Sequence, residues 1–244
     1  MSMSIAELER TLAQLRLSGA RDTLQTRLQQ AQASQMTAQE LLALLLQDEL
    51  DRRQSRLVDK RYKDSHLDEK VTLAEIDWSF NPKVPRAACF ELQTLKFVSE
   101  GANALLIGKP GTGKSHVAKS VAYHAVQQGL KVAYLEADTD FGRYALAEPR
   151  EREQMLQRLL ASDLLVLDDL FLAKRVSEAA AELLQTLVHQ RHRRRASVLV
   201  TSNRVIRDWG TYLGDMTAYS TRWRTRFHAD GGQCSSVMAD TVPR

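Results

Sequence analysis

Residues 104–115 read Ala104, Leu105, Leu106, Ile107, Gly108, Lys109, Pro110, Gly111, Thr112, Gly113, Lys114, Ser115. A short aliphatic run leads into a glycine-rich turn that closes on Lys-Ser, and an amphipathic stretch, Val117 to Gln127, follows. This is the strand–turn–helix setting of the Walker A spacing G-x-x-x-x-G-K-S. Glycines there let the backbone curl until successive amide N–H groups point inward, and the next helix adds its positive end, so the segment suits a chain of phosphates. Gly108 to Ser115 is the expected nucleotide cradle. Lys114 is placed to reach the β- and γ-phosphates and Ser115 to offer its hydroxyl to a magnesium ion bridging them, which makes ATP and Mg2+ the expected ligands. A ligand-free turn of the same composition is the plain alternative; the elements on either side weigh against it.

Working outward, Val132 to Leu135, Leu164 to Leu167 and Val198 to Val200 repeat the short aliphatic run, separated by helix-like stretches. Continuous apolar runs of this kind are buried strands of a parallel sheet covered by helices on both faces, an α/β fold. The run at Leu164 ends in Asp168 and Asp169, as a Walker B strand does. Asp168 then holds magnesium, and Asp169 polarises the attacking water with an arm one methylene shorter than glutamate, which points to slow hydrolysis. The run at Val198 ends in Thr201, Ser202, Asn203. An amide at Asn203 can orient water without taking its proton, and the competing reading is a Ser or Asn that merely caps the next turn.

The 244 residues accommodate one α/β domain and a smaller appendage. Two cysteines, Cys89 and Cys234, form no zinc or disulfide spacing and read as free thiols of a reducing compartment, with the cytoplasm as the expected location. The polar start and the brevity of the Leu41–Leu46 run argue against a signal peptide and a membrane span. Net charge is −2 over residues 1–80, zero over 81–190 and +6 over 191–244. The first seventy residues show helical periodicity at Ile5, Leu8, Leu12 and Leu15, and a capping-box pair, Thr37 and Glu40, before Leu41, Leu42 and Leu45. Asn81, Pro82 and Pro85 mark the junction with the α/β part. Two basic clusters stand out: Arg52, Arg53, Arg56, Lys60, Arg61 and Lys63, and then Arg191, Arg193, Arg194 and Arg195. Each has two readings. The first cluster is either a DNA-phosphate face or a solvated face with i,i+4 partners (Asp48 with Arg52, Glu49 with Arg53, Asp59 with Lys63); the second either contacts phosphate or stabilises a helix C-terminus. The six histidines form no metal spacing.

From about Leu12 to Asp215 the sequence resembles the IstB-like transposition helper ATPases, relatives of DnaC-type helicase loaders in the AAA+ class. The marks are the Thr72 to Trp78 stretch (Thr-Leu-Ala-Glu-Ile-Asp-Trp), the Asn103 to Gly108 entry, the Leu164 to Leu170 strand, the Thr201-Ser202-Asn203 element and the Asp208-Trp209-Gly210 turn. The resemblance implies that the strand ending at Asn203 lies between the P-loop strand and the Asp168 strand. It also implies ATP-dependent self-association on double-stranded DNA, a helical N-terminal domain (residues 1–80) that binds DNA or partner, an ATPase core (81–215) and delivery of a cognate transposase, with no membrane involvement. Residues 216–244 depart from the family: neither its Asp-Arg-Leu element nor a final strand is recognisable, and Arg222, Arg224 and Arg226 are unassigned candidates for an arginine finger. A helicase loader and an ATP-gated DNA-binding module with little hydrolysis are the alternatives. A small-metabolite kinase is disfavoured by the helical preface.

Overall fold

The computed structural model describes residues 3–81, 84–172, 176–212 and 234–239. It divides into two compact units, Met1–Lys60 and Arg61–Arg244. The elements of the first are α1 (Ile5–Gln14), α2 (Ser18–Ala33) and most of α3 (Ala38–Ser65), whose last turns belong to the second. Two capping boxes start helices here: the Thr37 amide donates to Glu40 and the Glu40 amide to the Thr37 hydroxyl, as the sequence suggests, and Ser4 and Glu7 repeat the device at α1. Helices α2 and α3 touch at Gly19, where a Cβ would lie 2.6 Å from the Asp48 carbonyl oxygen. The buried Glu49 carboxylate accepts from the Gly19 amide at 2.6 Å and from Arg53 Nε at 2.7 Å, and Arg27 holds Asp48 through two bonds of 2.6 and 2.8 Å. Arg52 therefore finds Asp22 rather than Asp48.

In the second unit, the chain leaves α3 through Leu67, Val71 and Leu73, all buried, and a 3-10 turn at Leu73–Glu75. The boundary between compact units thus falls before this segment, and residues 61–80 pack with the α/β part. Two short helices, α4 (Arg86–Gln93) and α5 (Lys96–Ser99), precede β1 (Asn103–Gly108). There follow α6 (Lys114–Gln127), β2 (Val132–Glu136), α7 (Ala137–Leu146), α8 (Pro149–Leu160), β3 (Leu164–Asp168), α9 (Glu178–Arg194), β4 (Ser197–Ser202), a 3-10 turn at Ile206–Asp208, α10 (Trp209–Tyr212) and β5 (Cys234–Ala239). The sheet order is β2-β3-β4-β1-β5, every pair parallel. All four aliphatic runs are strands, and β4 lies between β1 and β3, as the resemblance implies.

Side chains alternate across the strands. Leu105, Ile107, Leu135, Leu165, Leu167, Val198 and Val200 join one core with Leu159 and Leu160 of α8, Leu183, Leu184 and Leu187 of α9, and Trp209. The opposite face is covered by α6, whose Val117, Ala118, Val121, Ala122, Ala125 and Val126 are buried and which contacts β1 through β4. No helix among the described residues is long and apolar enough to cross a membrane.

Two further expectations change. A fifth strand exists: Asn103 to Gly108 pair with Cys234 to Ala239 in unbroken register. Its sequence, Cys-Ser-Ser-Val-Met-Ala, holds one β-branched residue and no aliphatic run, so periodicity conceals it. The rest of 216–244, with Arg222, Arg224 and Arg226, lies outside the described residues, as do Pro82 and Asp215. The second correction is Arg191, which is 0% exposed and contacts no solvent-borne phosphate. Its guanidinium donates to the carbonyls of Leu159 (2.7 Å), Ser162 (3.0 Å), Asp163 (3.2 Å) and Ser197 (2.7 Å) and to the Ser162 hydroxyl (2.9 Å), tying the end of α8 to the starts of β3 and β4. Burial pushes its pKa down to about 10, still charged at neutral pH. Arg193, Arg194 and Arg195 remain exposed at the negative end of α9.

Replacing Arg191 with methionine leaves several buried carbonyls unpaired. Urea denaturation of Arg191→Met is expected to show a loss of about 2–4 kcal/mol, whereas Arg193→Gln changes stability by less than about 0.5 kcal/mol.

Candidate functional site

The parallel sheet delivers the C-terminal ends of β1, β3 and β4 to one edge, where the turn into α6 also lies. Gly111 has φ 74° and Gly113 has φ 90°, left-handed values that a side chain resists. Neither would meet an atom within 4 Å if given a Cβ, so the glycines are required by backbone shape rather than by crowding. Gly113 caps α6, whose first amides have no carbonyl partner inside the helix and face the turn. The Thr112 hydroxyl donates to the Lys109 carbonyl at 2.9 Å, and Lys114 Nζ donates to the same oxygen at 2.9 Å. Burial lowers the Lys114 pKa, opposed by the charges of Asp169 and Asp168.

On β3, Asp168 is 4% exposed. Its Oδ2 accepts from the Tyr134 phenol at 2.6 Å and its Oδ1 from the Thr201 hydroxyl at 2.5 Å. Burial, reinforced by the Asp168 charge, pushes the Tyr134 pKa far up and keeps that phenol a donor. Asp169 sits at φ 52° and Phe171 at φ 67°, two left-handed non-glycine residues in one turn. The strain is held by β4: the Asp169 amide donates to Thr201 Oγ1 (2.8 Å), the Leu170 amide to the Thr201 carbonyl (2.9 Å), and Ser202 Oγ to the Leu170 carbonyl (2.7 Å). Burial, then the Asp168 charge, raises the Asp169 pKa, with Lys114 opposing.

A cavity of about 760 Å³ brings together Pro110, Gly111, Gly113, Lys114, Ser115, Asp169 and Asn203. Asn203 Oδ1 is buried without a hydrogen-bond partner, an acceptor left for a donor such as water. Asp168 lies behind this wall. Gly108, Lys109 and Thr112 shape the turn without lining the space. Sequence reasoning missed Tyr134 and the Ile76–Phe80 wall of the cavity, and left the Thr201 hydroxyl without a role. Tyr134 is the one polar-tipped residue in the Val132–Leu135 run, which was the available signal.

The six cations of the first basic cluster differ in their surroundings. Arg52 and Arg53 are paired as described, Arg56 and Lys60 are exposed, and Arg61 and Lys63 belong to the second unit, where they line a separate cavity with His66, Lys131 and Arg158. Among the described residues no group of acids, histidines and cysteines forms a metal cluster of its own. The donor set nevertheless fits a magnesium that arrives with a nucleotide: a hydroxyl at Ser115, a fixed carboxylate behind it at Asp168, and room for water.

Comparisons with known proteins give the chain a family. A family model described as IstB-like ATP binding protein matches residues 10–223, which carries the family likeness past Asp215. A protein described as an ATP-binding protein of insertion sequence IS21 from Pseudomonas aeruginosa is 32% identical over 211 residues, covering 86% of this chain and 78% of its own. An insertion-sequence ATP-binding protein from Mycobacterium tuberculosis is 28% identical over 210 residues, covering 86% and 83%. Among solved structures, DnaI superposes with a TM-score of 0.55 at 16% identity (71% of this chain, 89% of that one), and the DnaC helicase loader with 0.50 at 20% (74% and 99%). These two likenesses concern the fold alone.

Because Gly113 has open space but a left-handed backbone, Gly113→Ala is expected to strain the turn by about 1–2 kcal/mol and weaken nucleotide binding roughly tenfold or more. Gly142→Ala, equally uncrowded but at an ordinary helical φ in α7, leaves that affinity unchanged. Fluorescence titration with a mant-labelled ATP reads both.

Proposed function

The chain belongs to the IstB-like ATP binding protein family, and from that premise we propose that it is an ATPase that assists DNA transposition. In this reading it binds ATP with Mg2+, assembles on duplex DNA and brings a cognate transposase to the target. The observation that carries the chemistry is the convergence of Gly111, Gly113, Lys114, Ser115, Asp169 and Asn203 on one cavity at the carboxyl ends of parallel strands.

The roles follow from position. The amides of the turn and of the first turn of α6 bind phosphate oxygens, and Lys114 leaves the Lys109 carbonyl to meet the β- and γ-phosphates. Ser115 and Asp168 would hold a magnesium, which would supply positive charge against the phosphates. Asp169 accepts a proton from the attacking water, and burial, then the Asp168 charge, raises its pKa. Asn203 orients that water through its unpartnered oxygen. Duplex DNA is contacted by the exposed cations of α3 in the first unit, Arg56 and Lys60. The assignment to transposition rests on the insertion-sequence relatives, whereas the fold shared with DnaC and DnaI favours no partner over another.

A second reading is supported by Asp169 itself. Its short arm on a left-handed backbone suits a protein in which bound ATP gates DNA binding and turnover is slow. One experiment separates the two: ATP turnover measured with and without duplex DNA, alongside DNA affinity with and without ATP. Helper-ATPase function predicts DNA-stimulated phosphate release that falls by about 100-fold or more in Lys114→Ala. Gating alone predicts ATP-dependent DNA affinity without measurable turnover. Folded protein that binds no nucleotide in the presence of Mg2+ refutes both.

A further inference from the structure

The Asp168 carboxylate is reached by two hydroxyls from two different strands, and neither can exchange its role. Strand β2 pairs Glu136 with Asp168 and Tyr134 with Val166, so Tyr134 stands on the same sheet face as Asp168, two residues back. Strand β4 pairs Val200 with Leu167, which sets Thr201 beside Asp168 on that face. A phenol or an alcohol carries one proton. Tyr134 gives its proton to Oδ2, and Thr201 gives its own to Oδ1 while accepting from the Asp169 amide, a group that can only donate. The direction of every bond in the chain Asp169 amide, Thr201 hydroxyl, Asp168 carboxylate, Tyr134 phenol is therefore fixed. Turning the carboxylate about Cβ–Cγ breaks both of its bonds.

Tyr134 is itself restrained. It is 4% exposed, and Lys119 Nζ lies 5.9 Å from its ring centroid. Lys119 is held there by Asp68 at 2.7 Å and Glu69 at 3.7 Å, in the segment that follows α3. A buried carboxylate with one hydroxyl on each oxygen still has lone pairs to spare, and a water in a metal's hydration shell is a donor suited to them.

We propose that Tyr134 and Thr201 are positioning residues that hold Asp168 in the one orientation from which it meets the nucleotide's magnesium through water. This deepens the nucleotide reading and rests on it. Neither residue lines the cavity, so losing either hydroxyl is expected to act on the metal requirement before it acts on nucleotide affinity.

The test is a Mg2+ titration of mant-ATP binding to the full chain, from EDTA to millimolar metal, for wild type, Tyr134→Phe, Thr201→Val and Thr201→Ser. Circular dichroism melting verifies that each variant is folded. Tyr134→Phe and Thr201→Val are expected to raise the half-saturating Mg2+ concentration by about 3- to 10-fold, while affinity in EDTA moves less than about twofold and Thr201→Ser restores the wild-type midpoint. If Tyr134→Phe fails to fold, the Thr201→Val and Thr201→Ser pair decides alone. Folded variants with a wild-type midpoint overturn the positioning role and leave nucleotide binding standing. A wild-type protein whose mant-ATP affinity is the same in EDTA and in Mg2+ removes the metal reading along with it.

Discussion

The first turn of α6 carries amide groups that no carbonyl of the helix can satisfy, and the molecule is organised around that unmet demand. The turn preceding it must curl, which places glycines at φ 74° and 90°, and the helix must start at the edge where the parallel strands end. Once β1 and α6 are fixed, the right-handed crossover brings β3 and β4 to the same edge, with their acids and amide. Lys114, already buried beside Asp168 and Asp169, adds a cation to the turn's partial positive charge. An apolar ligand would leave those donors unpaired; a chain of phosphates satisfies them.

Much of this was legible in the residues. The Walker A segment, four strands and both acids follow from spacing and aliphatic runs, because each is a local pattern that burial on both faces imposes. Asn203 was legible as a position, and its unpartnered oxygen only in three dimensions. Tyr134 was not found, because its partner Asp168 is 34 residues away and the pair meets only once β2 and β3 are in register. Arg191 misled for the opposite reason. A run of arginines looks like surface charge, and nothing in its own helix reveals that three carbonyls from the end of α8 and the start of β3, with that of Ser197, converge on one guanidinium. The α3 cluster shows the same limit: Arg52 turns to Asp22 because Arg27 already occupies Asp48, a competition between helices that i,i+4 spacing cannot register.

The two acids after β3 differ in how they are held. Asp168 ends a regular strand and is clamped from both sides, so its geometry belongs to the sheet. Asp169 stands on a left-handed backbone whose cost is borne by hydrogen bonds to β4. The clamped carboxylate and its strained neighbour are thus coupled through one threonine hydroxyl, and displacement of β4 would disturb both.

The pairing of β1 with β5 has a consequence for biosynthesis. The strand that leads into the phosphate turn is interior to the sheet only because residues 234–239 return to lie along it. Until a ribosome has released that segment, a nascent chain presents the open edge of β1, with its row of unpaired amides and carbonyls, to any other strand in reach. Pairing strands so far apart in sequence carries a loop-closure cost, so this edge is the one most exposed to edge-to-edge association before β5 docks.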